Sequence, residues 1–220
     1  MIINDFEIFT KTLKKALTPP LPGSIAHDLL APEYRKSLLL QNNDLTKAQL
    51  SSVLVLFFPD SNNKTSIVFT KRVEYKGVHS GQISFPGGKA EKHDKDYFDT
   101  AYRETEEEIG IDRTSIETLG LLSELYVPPS NFIIFPVVGA TFENPAFVRD
   151  PKEVAEIIQV PFEFFFNNGA VGIHEVITSD SLSFNVPGYM INNNLIWGAT
   201  AMILSELIQV TMKIISHDGS

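Results

Sequence analysis

Residues 97–109 place the strongest constraint on how this chain can fold. At 100° per residue, Phe98, Ala101, Tyr102, Thr105 and Ile109 fall on one helical face that can pack against a sheet. Glu104, Glu107 and Glu108 stand at i, i+3 and i+4 and form a compact acidic patch on an adjoining face, while Glu106 points elsewhere. Asp94 or Asp96 can cap the start of this helix, and Gly110 stands where a left-handed C-terminal residue is wanted. Like charges at this spacing repel by ~0.2–0.5 kcal/mol per exposed pair, and Arg103 is the only cation in the segment. A solvated acidic face is one account of the patch. A hard divalent cation, which prefers carboxylate oxygens and water, is the other.

A helix with one apolar face needs a sheet to cover, and the flanking sequence supplies strands. Residues 52–58 and 66–70 are short, rich in Val, Ile and Phe, and separated by Pro59-Asp60-Ser61-Asn62-Asn63, which predicts a hairpin. Residues 83–85 precede Pro86-Gly87-Gly88, and 116–122, 132–138 and 153–158 read as strands or short helical turns. A last helix is expected over 199–212. Phe6, Phe9, Leu13 and Leu17 follow helical spacing up to Pro19-Pro20, which predicts an amphipathic helix over 5–17, outside the main domain. Residues 18–48 read as an extended wrap with a short helical stretch around 33–40. Strands and helices interleave without a regular β-α-β rhythm, so the expected class is α/β of the α+β kind, a mixed sheet covered by helices.

Bulk properties narrow the function. With 220 residues, 43% hydrophobic and 20% charged, the chain suits one domain with an extension. A net charge of −9, from 27 acidic and 18 basic residues, argues against a nucleic-acid surface, which needs clustered cations. The absence of cysteine removes disulfide frameworks, thiolate zinc sites and cysteine nucleophiles. No uninterrupted apolar run approaches the ~20 residues that span a bilayer. Asp5, Glu7, Lys11, Lys14 and Lys15 interrupt the N-terminal segment, unlike a signal peptide. A cytoplasmic protein with no membrane partner is expected, and a homodimer is left open.

From Ser84-Phe85-Pro86-Gly87-Gly88-Lys89, through Asp94, to Arg103-Glu104-Thr105-Glu106-Glu107-Glu108-Ile109-Gly110-Ile111, the chain resembles the Nudix box. That pattern is a Gly, five residues, an acid, a spacer, then Arg-Glu-apolar-x-Glu-Glu-x-Gly-apolar. Here the acid is Asp94, eight residues precede Arg103, and Thr105 holds an apolar position. The longer spacer and the Asp recur in the coenzyme A pyrophosphatase branch of that family. The resemblance covers about residues 45–215. It implies a Nudix-like α/β/α sandwich over 46–215, with 1–45 as a helical extension and 216–220 as a tail.

The resemblance further implies metal-dependent hydrolysis of a diphosphate linkage in a small nucleotide substrate. Glu104, Glu107 and Glu108 would hold Mg²⁺ or Mn²⁺. Arg103, Glu104, Glu107 and Glu153 are the expected catalytic group. In it Arg103 orients the carboxylates, a plain intrahelical ion pair being the alternative. Glu153 is the candidate base, with opening of a structural element as its other reading. Asp94 is either a helix cap or a metal or water contact. Gly87 and Gly88 would allow a tight bend and offer free amides to the diphosphate.

Upstream, Val68-Phe69-Thr70-Lys71-Arg72 and the stretch from Tyr75 to Gly88 are similar to a coenzyme A-associated motif, with Thr70, Gly81 and Phe85-Pro86-Gly87-Gly88 in register. Gly77 stands where that motif has Arg, so Arg72 and Lys76 are the expected substrate-binding cations. The implied reaction converts coenzyme A or its thioesters to 3′,5′-ADP and a phosphopantetheine. The alternatives are a pyrophosphatase for ADP-ribose, a dinucleotide or an oxidised nucleotide, and a nucleotide-binding module that does not cleave.

Overall fold

The computed structural model describes residues 2–41, 44–73, 81–177 and 183–218. In chain order the strands of its main sheet are β1 (Gln49–Pro59), β2 (Thr65–Arg72), β3 (Ile83–Ser84), β4 (Gly87–Lys89), β5 (Glu117–Leu121), β6 (Leu125–Val127), β7 (Phe132–Ala140) and β8 (Val154–Pro161). A second sheet holds β9 (Val171–Ile177), β10 (Ser183–Ile191) and β11 (Asn194–Trp197). The α-helices are α1 (Phe6–Ala16), α2 (Ser24–His27), α3 (Tyr34–Leu39), α4 (Tyr97–Ile109) and α5 (Gly198–Asp218).

The expected hairpin is the β1–β2 pair, with Phe57 opposite Ile67. Asp60 closes its turn by accepting hydrogen bonds from the Asn62 and Lys64 amides, both at 2.8 Å. β1 also runs parallel to β7 over nine residue pairs and antiparallel to β4. The sheet is therefore mixed.

Alternation along β1 assigns the two faces. Leu54, Leu56 and Phe58 pack with Ala101 and Ile109 of α4, while Val55 and Phe57 pack with the layer containing α1 and α5. Burial on both sides explains why β1 reads as a near-continuous apolar run. The sheet lies between helical layers, as expected.

The N-terminal helix does not stand outside this body. Phe6, Phe9, Leu13 and Leu17 are buried in the main core, and the Phe9 ring lies 5.2 Å from Phe57 and 5.5 Å from Phe162. Its apolar stripe is the cover for the sheet beside α5. A buried polar knot secures the same layer. Glu206 of α5, fully buried, accepts from the Gly23 amide (2.8 Å), the Ser123 hydroxyl (2.6 Å) and the Ser123 amide (3.0 Å), and lies 3.1 Å from His27 Nε2. Burial alone would raise its pKa, but these partners outweigh that effect and hold it below the usual carboxylate range. α5 runs past the expected end at residue 212. By length and composition it could cross a bilayer, yet 67% of the qualifying stretch is buried inside the protein, which marks a core helix.

Candidate active site

α4 starts and ends as its sequence dictates. The Asp96 side chain accepts the Asp99 amide at 2.9 Å, and Gly110 closes the helix at φ 72°. A Cβ on Gly110 would come 3.0 Å from the Val148 carbonyl oxygen, so both conformation and space call for glycine.

With Asp96 as the cap, Asp94 has another task. It grips Arg103 through two parallel bonds, Nε to Oδ1 and Nη2 to Oδ2, each 2.9 Å. The Glu91 amide (2.8 Å) and Thr100 hydroxyl (2.9 Å) fix the carboxylate in turn. The remaining Arg103 donors reach the Lys89 carbonyl (3.2 Å), Glu104 Oε1 (2.9 Å) and Glu107 Oε2 (3.1 Å). Every N–H of this buried guanidinium thus has an acceptor. The hydrogen bond from Arg103 holds the Asp94 carboxyl well below its ordinary range, and Asp94 raises Arg103 in return. Arg103 thus holds Glu104 and Glu107 of the three glutamates. The helix cap is Asp96, and Asp94 instead clamps Arg103.

β4 brings the two glycines against these acids. A Cβ on Gly88 would fall 2.4 Å from Glu104 Cδ, and one on Gly87, at φ 150°, would fall 2.4 Å from the Ser52 carbonyl oxygen. The close packing at Gly87 and Gly88 is against β1 and Glu104. The Gly87 amide is also not free, since it donates to Glu108 Oε2 at 3.1 Å. A buried carboxylate needs that donor more than solvent does.

The three glutamates are not equivalent. The Glu108 side chain is 3% exposed, that of Glu104 14% and that of Glu107 60%. Burial pushes the Glu108 carboxyl up to about 8, opposed by the Gly87 amide and Arg72 and reinforced by Glu104 and Glu153. Burial also raises Glu104, against the pull of Arg103 and with help from Glu107 and Glu153. Glu153 sits at the end of a turn in which its amide donates to the Asp150 carbonyl, just before β8. Its charge acts on both buried carboxyls, so Glu104, Glu108 and Glu153 share one locality.

Arg72, at the end of β2, places Nη1 3.8 Å from Glu108 Oε1. Lys76 lies outside the described residues, as do Gly77 and His79. Thr70 is buried, with its hydroxyl 3.4 Å from the Ser84 carbonyl oxygen, and so braces β2 against β3. Tyr126, in β6, donates its hydroxyl to Asn131 at 3.0 Å.

Among the described residues no three acidic or imidazole side chains are already grouped to hold an ion. Arg103 engages Glu104 and Glu107, and Gly87 engages Glu108. The donor set nevertheless fits Mg²⁺ or Mn²⁺. It is all carboxylate oxygen, and burial of Glu104 and Glu108 disfavours their charged forms unless a cation compensates them.

Residues 49–175 match the family model for the NUDIX domain. Nudix hydrolase 22, chloroplastic, of Arabidopsis thaliana is 33% identical over 174 residues, which are 74% of this chain and 55% of that protein. NudL, an uncharacterized Nudix hydrolase of Photorhabdus laumondii, is 32% identical over 146 residues, 66% of this chain and 77% of that protein. The chain thus spans little more than half the length of the plant relative. Among solved structures, the Nudix hydrolase RenU from M. Smegmatis matches with a TM-score of 0.51 at 12% identity, covering 77% of this chain and 87% of that one, a likeness of fold. The match over 49–175 contains the Gly87–Lys89 strand, the clamped Arg103 and the carboxylates around it, and the chain belongs to the Nudix family.

Proposed function

We propose that this protein hydrolyses the diphosphate linkage of a nucleoside diphosphate derivative. Its proposed substrate is coenzyme A or a coenzyme A thioester, giving 3′,5′-ADP and a phosphopantetheine. The observation that carries the reading is the corner where buried Glu108 and half-buried Glu104 lie against Gly87 and Gly88, with Arg103 clamped behind them by Asp94. Desolvated carboxyls whose charged forms are disfavoured, gathered beside a clamped arginine, are the arrangement that functional sites concentrate.

Glu104, Glu107 and Glu108 would hold Mg²⁺ or Mn²⁺. When bound, such an ion would supply charge neutralisation at the phosphates and make water a better nucleophile. The protein's own groups do the rest. Arg103 fixes one oxygen each of Glu104 and Glu107, so neither carboxylate has to be ordered when the substrate arrives. Glu153, exposed and beside the buried pair, accepts the proton of the attacking water. That water adds to one phosphorus, the bond from that phosphorus to the bridging oxygen breaks, and two phosphate monoesters leave. Arg72 and Lys76 receive the negative charge of the substrate, while Gly88 leaves room for the Glu104 carboxylate and Gly87 lets β4 lie close to β1. Thr70, Gly81 and Phe85-Pro86-Gly87-Gly88 support the coenzyme A reading through the similarity of that stretch to the coenzyme A-associated motif.

The test is a product assay with Mg²⁺ or Mn²⁺ across coenzyme A, ADP-ribose, NADH and nucleoside triphosphates. Release of 3′,5′-ADP from coenzyme A is expected. Equal or faster cleavage of ADP-ribose overturns the substrate, and no metal-dependent cleavage of any diphosphate indicates a binding module.

A further inference from the structure

Two arginines face the carboxylate corner, and they are held very differently. Arg103 is 8% exposed in its side chain and makes five hydrogen bonds between 2.9 and 3.2 Å. Arg72 is 33% exposed and stands 3.8 Å from Glu108, beyond the ~2.7–2.9 Å of a charge-assisted hydrogen bond. It opposes the buried charge without being locked to it.

The backbone beneath Arg72 is, by contrast, pinned. Its amide donates to the Gln82 carbonyl at 3.0 Å, the next amide, Val73, donates to the Glu153 carbonyl at 3.1 Å, and Arg72 pairs with Val154 of β8. The β2–β8 register shifts opposite Lys71 and Arg72, where β8 carries one extra residue, Ala155, while β2 itself continues its ordinary alternation. Lys71 turns to the opposite face and donates to Asn194 at 3.1 Å, leaving Arg72 directed at Glu108. The structure thus provides a fixed carboxylate, a fixed strand and one long side chain able to move.

We propose that Arg72 is the resident counter-ion of Glu108 and gives way to the divalent cation, its guanidinium passing from that carboxylate to a phosphate of the substrate. This rests on the metal-dependent reading above. A guanidinium keeps its charge at any working pH, so it cannot relieve the repulsion from an arriving cation by losing a proton. It has to move. A diphosphate offers pairs of oxygens that the planar guanidinium can bind with two parallel hydrogen bonds. Cation and substrate therefore bind with positive coupling, because each favours the arrangement the other needs, and the coupling is reciprocal.

The experiment measures Mn²⁺ binding to the substrate-free protein by electron paramagnetic resonance, for wild type, Arg72→Gln and Arg72→Lys. Arg72→Gln should bind Mn²⁺ more tightly by about fivefold or more, the lower end of ordinary coupling between sites. Arg72→Lys, which keeps the charge, should stay near wild type. The KM for the diphosphate substrate should rise about tenfold or more in Arg72→Gln, from loss of a charged hydrogen-bond donor. Unchanged or weaker Mn²⁺ binding by Arg72→Gln, with wild type binding normally, overturns the exchange and leaves the proposed hydrolase intact. A substrate-free wild type that binds no Mn²⁺ overturns the exchange, and absence of metal-dependent cleavage in the product assay overturns the hydrolase.

Discussion

Replacing Asp94 with Asn keeps the outline of the side chain and removes its charge. In the native site the two carboxylate oxygens accept from Arg103 Nε and Nη2 at 2.9 Å, and the two side chains are only 2% and 8% exposed. The carboxamide introduced by Asp94→Asn would turn an N–H toward the guanidinium, leaving one Arg103 donor without an acceptor and its charge without its main partner. Because both groups are buried, solvent does little to screen the loss, and breaking such a pair costs about 3–5 kcal/mol. An exposed pair would cost about 0–1 kcal/mol. Urea unfolding at neutral pH separates these cases, with an expected loss of at least ~3 kcal/mol in a domain of ordinary ~5–15 kcal/mol stability. Acid adds a second reading. Asp94 is depressed in the folded state by its bond to Arg103, so its contribution is complete above the unfolded value near ~4 and is lost as pH falls toward the folded value. Stability should therefore decline less steeply below pH ~4 in Asp94→Asn than in wild type. A loss under ~1 kcal/mol, or an unchanged acid slope, would refute the clamp.

Gly88→Ala places a methyl group 2.4 Å from Glu104 Cδ, so Glu104 must move; kcat should fall at least ~10-fold, and turnover close to wild type would show that its position is not critical. Phe9→Ala removes a fully buried ring that meets Phe57 and Phe162 and should cost about 3–5 kcal/mol in a single cooperative transition. A cost below ~1 kcal/mol, or a separate early transition, would return the N-terminal helix to the status of an appendage.

How much of this was legible in the sequence differs from element to element. α4 could be read almost whole, because helical periodicity, capping and the Gly110 stop all act within a turn or two of chain. The β1–β2 hairpin was legible for the same reason. The partner of Asp94 was not, since Arg103 lies nine residues away across a loop whose path no helical wheel describes. The Gly87 amide likewise belongs to Glu108 only once β4 has docked beside β1.

Glu206 left a signal in an otherwise apolar helix segment, where a lone acid must either face solvent or find several donors. Its donors come from Gly23 and Ser123, more than eighty residues distant. The β9–β11 sheet left almost none. Val171, Ile173 and Ile177 are exposed on β9, so burial and hydrophobicity do not alternate together there. The reading of residues 5–17 failed differently. The stripe of Phe6, Phe9, Leu13 and Leu17 was evident, but its partner across the sheet is a matter of tertiary packing.

We assign diphosphate cleavage to the acids at the Gly87 and Gly88 corner. The most direct test is Mn²⁺-dependent release of 3′,5′-ADP from coenzyme A by wild type and by Glu108→Gln, a change that keeps volume and removes charge from a side chain 3% exposed. Turnover in the variant should drop about 100-fold or more while the protein stays folded. Near-normal turnover in folded Glu108→Gln would contradict it.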